Sequence, residues 1–172
     1  PSAADAGPRT VLFLGRLEHQ KGVDTLLDAW AEVAPRLPGT TLAIGGDGPQ
    51  ARALRTKAAD HGLADRVQFL GAVPNPEDHL RRASAFVLPS RYEGLPNALL
   101  EAMATGLPCV ATTIGGTLDV ATDEQDAILV PPDDAAALGK ALYSVLTDED
   151  LARRLGVAAR HRVVAEFSFD TM

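Results

Sequence analysis

The sequence predicts an α/β protein, a Rossmann-like, doubly wound parallel sheet covered by helices on both faces. Two observations predict it. Short continuous apolar runs, most ending in Gly or Pro, alternate with segments of helical periodicity along the 172 residues. Runs that are apolar throughout, rather than at every second position, mark strands buried on both faces, as parallel sheets require. Repeated strand–helix crossovers then make the strands parallel, and ligands of such sheets bind outside the strand carboxyl ends.

The elements follow in order. Val11–Gly15 (VLFLG) reads as the first strand. Val23, Leu26, Leu27, Trp30, Val33 and Leu37 recur at steps of three and four and mark one face of a helix, which Pro38-Gly39 stops. Thr41–Gly46 is the second strand, and residues 49–61 form a helix with Ala51, Leu54 and Ala58 inward. Val67–Gly71 is the third strand, 76–83 a short helix, and Ala85–Pro89 the fourth strand. A helix over 96–105, a strand over Pro108–Thr112 and a small strand over Ala127–Val130 come next. Two helices close the pattern, one facing inward with Leu138, Ala141, Leu142, Val145 and Leu146, the other with Leu151, Leu155, Ala158, Val163 and Phe167.

The opening PSAADAGPR is unpatterned and reads as a linker over residues 1–8, which leaves 9–172 as one domain. It carries no initiator Met, and the close at Phe167-Ser168-Phe169-Asp170 is abrupt, so a piece of a longer protein is expected. The formal net charge of −7 disfavours a nucleic-acid partner, which needs a basic surface. No apolar run reaches the roughly 18 residues of a membrane span. Cys109 is the single cysteine, so no intrachain disulfide can form. It lies in the apolar run Pro108-Cys109-Val110-Ala111 and is expected in the core rather than as a nucleophile. One cysteine is compatible with the cytoplasmic location we expect.

The loops after the strands carry the chemistry. The first, Gly15-Arg16-Leu17-Glu18-His19-Gln20-Lys21-Gly22, combines a glycine that lets a ligand approach with a guanidinium fork and an ammonium suited to phosphate. A solvated turn is the plain alternative. The loop after the fourth strand runs SRYEGLPNALLEAMATG, with Glu93 and Glu101 eight positions apart. Pro96 suits a first helical turn, and the free amides there favour an anion. Glu101 then falls about 7–8 Å along the helix, within reach of sugar hydroxyls beside a bound phosphate. Plain surface and loop carboxylates are the alternative. Gly115-Gly116, after the fifth strand, reads as a backbone cradle or as a simple turn. Gly46-Asp47-Gly48-Pro49-Gln50-Ala51 matches the dinucleotide pattern only loosely, because Pro49 interrupts the helix entry and no acid follows the next strand. A tight turn with Asp47 capping the following helix is the better expectation.

GRLEHQKGVDTLLDAW, GGDGP, VQFLGAV, VLPSRYEGLPNALLEAMATGLPCVAT, Gly115-Gly116 and ILVPPDD, in that order, resemble the retaining glycosyltransferases of GT-B architecture in the family 4-like, group 1 class. Sucrose synthases, glycogen synthases and bacterial α-mannosyl- and α-glucosyltransferases belong to that class. The resemblance covers residues 9–169. It implies the C-terminal, donor-binding domain of an enzyme that moves a sugar from a UDP- or GDP-sugar to an acceptor. It further implies that Arg16 and Lys21 hold the donor diphosphate, that Glu101 binds the ribose and that Glu93 binds the transferred sugar. Gly15, Gly94, Leu95, Asn97, Gly115 and Gly116 would present groups to phosphate and sugar, and Val73 would lie near the base. No metal or other cofactor is implied.

The acceptor domain would precede this chain, and any peripheral membrane contact would belong to it. The isolated domain is expected to bind nucleotide weakly and not to transfer sugar. Asp119 stands where the family often has Glu, Gln125-Asp126 where Asn-Gly is common, and Phe167-Ser168-Phe169 lacks a frequent Trp. A nucleotide-sugar-binding module without transfer and a GT-B nucleotide-sugar epimerase are the alternatives.

Overall fold

The computed structural model describes residues 8–167. Residues 1–7 and 168–172, and with them nearly all of the expected linker, lie outside the described residues. Six strands form one sheet: β1 (Arg9–Leu14), β2 (Thr40–Gly45), β3 (Val67–Gly71), β4 (Ala85–Leu88), β5 (Cys109–Thr112) and β6 (Ile128–Val130). Every pairing is parallel, and the order is β3-β2-β1-β4-β5-β6. Helices α1 (Val23–Val33), α2 (Ala51–Asp60), α3 (Pro76–Arg82), α4 (Asn97–Thr105), α5 (Gly115–Leu118), α6 (Ala135–Thr147) and α7 (Glu149–Glu166) connect and follow the strands. The expected fold class is the observed one.

Strand order explains where a ligand goes. The chain winds outward from β1 to β3, then returns to lay β4 on the other side of β1. Loops leaving β1 and β4 therefore diverge to opposite faces and open a crevice between them. Helix α1 packs on α2 and α6, and α4 packs on α3 and α7, giving one helical layer per face. The strands read apolar throughout because both faces are covered. All of Val11–Leu14 and all of Ala85–Leu88 are buried.

The α1 stripe fills one half of the core. Val23, Leu26, Leu27, Trp30 and Val33 are buried, and the fully enclosed Trp30 indole donates to the Arg66 carbonyl at 2.9 Å. Burying a side chain of that size contributes about 3 kcal/mol. Asp134 and Asp148 cap α6 and α7 by accepting from the amides of Ala137 and Leu151. Among the described residues no helix is long and apolar enough to cross a membrane.

Several local expectations change. β1 begins at Arg9 because its polar first two residues still pair with Thr40 and Thr41. Leu37 is buried but lies beyond α1, past a 3₁₀ turn over Ala34–Arg36 that contains Pro35. On α7 the core face is Leu155, Gly156, Ala159 and Val163, so Ala159 rather than Ala158 points inward. Gly115-Gly116 open the short helix α5 instead of forming a plain turn. Asp47 accepts from the adjacent Gly48 amide at 2.8 Å, and no side chain caps α2.

Candidate functional site

The carboxyl ends of β1, β2 and β3 and the start of α4 enclose an open cavity of about 520 Å³. Gly15, Arg16, Val73, Asn97 and Glu101 line it, together with Gly46 and Ala98. Five of the eleven residues expected in the site thus line one cavity. α4 buries Leu99, Ala102 and Met103 on the sheet, so the helical period turns Glu101 outward to the cavity. Pro96 is the residue before α4 rather than its first, and no side chain caps the helix start. The Asn97 amide donates to the Leu95 carbonyl at 2.9 Å, and the amides after it begin α4 at the cavity rim with the partial positive charge of a helix N-terminus. Arg16 is exposed, and among the described residues its side chain forms an ion pair with Glu18 alone, at 3.4 Å.

Lys21 and Glu93 form a second cluster beside the first. The Lys21 ammonium donates to Glu93 Oε1 at 2.6 Å, and the Ser90 hydroxyl donates to the same oxygen at 2.8 Å. The side chains are 18% and 6% exposed. Glu93 is therefore an enclosed carboxylate with two donors on one oxygen, not a solvated loop charge. The Lys21 stem passes the α-carbon of Gly15, where an added methyl group would sit 3.6 Å from it. Gly15 thus joins the cluster to the cavity. Ser90 is fully buried, and its carbonyl accepts from the Thr112 hydroxyl at 2.6 Å, which ties the β4 loop to β5.

Two close backbone approaches hold this cluster. Gly22 has φ of 69°, and a Cβ there would lie 2.1 Å from the Pro89 carbonyl oxygen. Gly116 is buried under the β4 loop, where a Cβ would lie 2.2 Å from the Gly94 oxygen. Only glycine lets the β1 and β5 loops approach the β4 loop so closely. Gly94 and Leu95 are exposed on the outer side of that loop, and Gly115 is exposed at the head of α5. Gly94 and Leu95 follow Glu93 directly in the chain, Gly115 does not, and none of the three lines the cavity.

The cavity and the cluster together offer cations for a diphosphate, an acceptor for hydroxyls, and an enclosed carboxylate. Among the described residues no three or more His, Cys, Asp or Glu side chains gather to hold a metal ion. Cys109 is buried and its thiol pKa is pushed up by burial, so it packs in the core as expected. Sequence reasoning missed Ser90 and Arg91. Ser90 bonds within its own loop, three positions from Glu93, but the acids that Arg91 holds are 67 and 42 positions away.

The chain resembles known proteins over nearly its full length. It is 38% identical over 168 residues to a Mycobacterium tuberculosis glycogen synthase, covering 96% of this chain and 41% of that protein. It is 35% identical over 172 residues to a GDP-mannose-dependent phosphatidylinositol monomannoside mannosyltransferase of the same species, covering 95% and 45%. Sucrose-phosphate synthase from Thermosynechococcus elongatus superposes with a TM-score of 0.86 at 34% identity, over 95% of this chain and 42% of that one. Anabaena HepE in complex with UDP-glucose shares the fold, with a TM-score of 0.90 at 24% identity, over 98% and 47%. The chain spans less than half the length of each of these proteins. The sequence model for glycosyl transferases group 1 matches residues 1–162, and the chain belongs to that family.

Proposed function

We propose that this chain is the donor-binding, C-terminal domain of a retaining, family 4-like glycosyltransferase that uses a UDP- or GDP-sugar. The observation that carries the proposal is the convergence of Arg16, Val73, Asn97 and Glu101 on one cavity, with the Lys21–Glu93 pair adjoining it through Gly15. The likeness to a GDP-mannose-dependent enzyme, and to the fold of a protein solved with UDP-glucose, supports a nucleotide-sugar donor. The share of the relatives' length that the chain spans supports a missing acceptor domain.

In this reading the base rests near Val73, and the ribose hydroxyls donate to Glu101. Arg16, Lys21 and the first amides of α4 take the diphosphate. As the bond from the anomeric carbon to the diphosphate breaks, negative charge builds on the leaving oxygen, where fixed cations stabilise it most. The acceptor oxygen bonds to the anomeric carbon on the face the diphosphate leaves, and the acceptor proton passes to the departing phosphate. Glu93, with Gly94, Leu95 and Asn97 nearby, orients the transferred sugar, and Gly115 and Gly116 support that loop from β5. The chain alone binds nucleotide without transferring sugar, because the acceptor site belongs to the other domain.

Titrating the chain with UDP, GDP and ADP, beside Glu101→Ala and Lys21→Ala, tests this. Selective binding that both variants weaken names the base and establishes the site. Binding that neither variant weakens overturns the assignment.

A further inference from the structure

Arg91 makes the densest set of polar contacts in the described chain, and it touches neither the cavity nor the Lys21–Glu93 pair. Its side chain is 15% exposed. Both terminal nitrogens donate to the Asp24 carboxylate of α1, at 3.0 and 2.9 Å. Nη1 also donates to the His19 carbonyl at 2.6 Å, and Nε donates to Asp133 at 2.7 Å. Asp133 takes a left-handed backbone, φ 59°, in the loop between β6 and α6. The Arg91 amide donates to the Gln20 carbonyl at 2.7 Å, and the Gln20 side chain returns a bond to the Tyr92 carbonyl at 3.0 Å. One guanidinium therefore gathers three loops at the strand carboxyl ends. Arg91 grips both residues preceding Lys21, and in its own loop it stands two positions before Glu93.

We propose that Arg91 is a positioning residue that sets the meeting of Lys21 with Glu93, and through it the diphosphate end of the donor site. The inference rests on the donor-site reading above only for its last step. Lys21 ends a 3₁₀ turn, His19–Lys21, that has no side chain capping it and no buried residue of its own. What fixes that turn against the β4 loop is the Arg91 and Gln20 bonding, together with the tight Gly22–Pro89 approach. The planar fork of an arginine suits this task because it serves several acceptors in fixed directions. A lysine at 91 keeps the charge but reaches only part of the set.

The test uses Arg91→Ala, Arg91→Lys and, as a calibrating control, Arg162→Ala. Arg162 is comparably enclosed at 20% exposure and also pairs with two acids, Asp126 and Glu166, but on α7 and away from the site. Asp133→Asn, which removes the charge from one acceptor of the Arg91 guanidinium, serves if the Arg91 variants do not fold. The first readout is independent of any ligand. The chain has three lysines, so the Lys21 ammonium is readily assigned in nitrogen-edited NMR, where an enclosed ion-paired ammonium exchanges slowly. The second is the Kd for whichever of UDP, GDP and ADP the unaltered chain binds most tightly. We expect both Arg91 variants to lose the slow Lys21 signal and to weaken that nucleotide roughly tenfold to hundredfold, and Asp133→Asn to shift both partially. Arg162→Ala should lower thermal stability and leave both readouts unchanged. A Lys21 signal that survives Arg91→Ala, or full rescue by Arg91→Lys, overturns the proposal. If the signal disappears in the Arg91 variants while the unaltered chain binds none of UDP, GDP and ADP, the positioning role stands and the donor-site reading falls.

Discussion

Lys21 and Glu93 meet at 2.6 Å with little of either side chain exposed, whereas Arg16 and Glu101, across Gly15 from them, both face solvent. The first pair is gripped by Ser90, by two close glycine approaches and by a loop that Arg91 fastens. The second pair borders an open cavity and has little holding it. The contrast separates a half of the site that is finished before any ligand arrives from a half that the ligand completes. Preorganised groups lose little entropy on binding and are aimed when charge develops, so in the proposed reading the finished half faces the reacting bond. In the same reading the open half suits recognition of a nucleotide that must enter and leave.

The largest effect should come from destroying the finished half. Gly22→Ala forces a Cβ into the Pro89 carbonyl from a left-handed backbone, at a cost of about 3 kcal/mol. The urea midpoint should fall, and a structure of the variant should show Lys21 and Glu93 moved apart.

Next in size is the ion pair itself. A double-mutant cycle of Lys21→Ala with Glu93→Gln should return a coupling of about 1–3 kcal/mol, because each partner leaves the other poorly solvated. The same cycle on Arg16 and Glu18, exposed and 3.4 Å apart, should return less than about 0.5 kcal/mol. Equal couplings would erase the distinction between the halves. In the proposed full-length enzyme, Glu93→Gln that keeps most of its kcat would remove Glu93 from the reacting centre.

Glu101→Ala probes the open half. It should leave the thermal midpoint within about 1 °C, since the core packing is untouched, and weaken the preferred nucleotide about tenfold by removing a charged acceptor. Calorimetry, by scan and by titration, reads both.

The smallest effect is a pH dependence at the fastening. Burial pushes the Asp24 carboxyl up, but the hydrogen bonds and charge of Arg91 outweigh it and hold the group below its ordinary 3.8. A lowered folded value means the contribution is present above about pH 3.8 and is lost as pH falls through the folded value. Asp24→Asn should therefore be less stable than the unaltered chain near neutral pH, with the gap closing below pH 3.8 in acid denaturation.

Apolar runs and helical stripes locate every strand and every long helix from the sequence, because burial on both faces leaves a plain mark on a parallel sheet. Strand order leaves no such mark, since it depends on which edge of β1 accepts β4. The same limit hides the pairing of Lys21 with Glu93. They lie 72 positions apart, and the sequence marks each for its chemistry alone. Arg91 is silent in the sequence because nothing local distinguishes it from a surface arginine, and its meaning comes entirely from Asp24, His19 and Asp133. Asp47 misleads for the opposite reason. Its position suits a cap, but a bond to its neighbour's amide is closer at hand. Of the paired glycines read as an anion cradle, Gly116 makes its close approach to the chain's own Gly94 carbonyl, and Gly115 stands open.

The reversal between β1 and β4 also orders events in time. During synthesis β1, β2 and β3 can pair through successive neighbouring crossovers, each closing a modest loop. Lys21 is by then long made, yet it has no carboxylate to meet until β4 leaves the ribosome and docks on the waiting edge of β1. A nascent chain stalled before β4 would hold half a sheet and no site at all. The appearance of the Lys21–Glu93 pair would therefore report the moment at which the two halves of the domain become one.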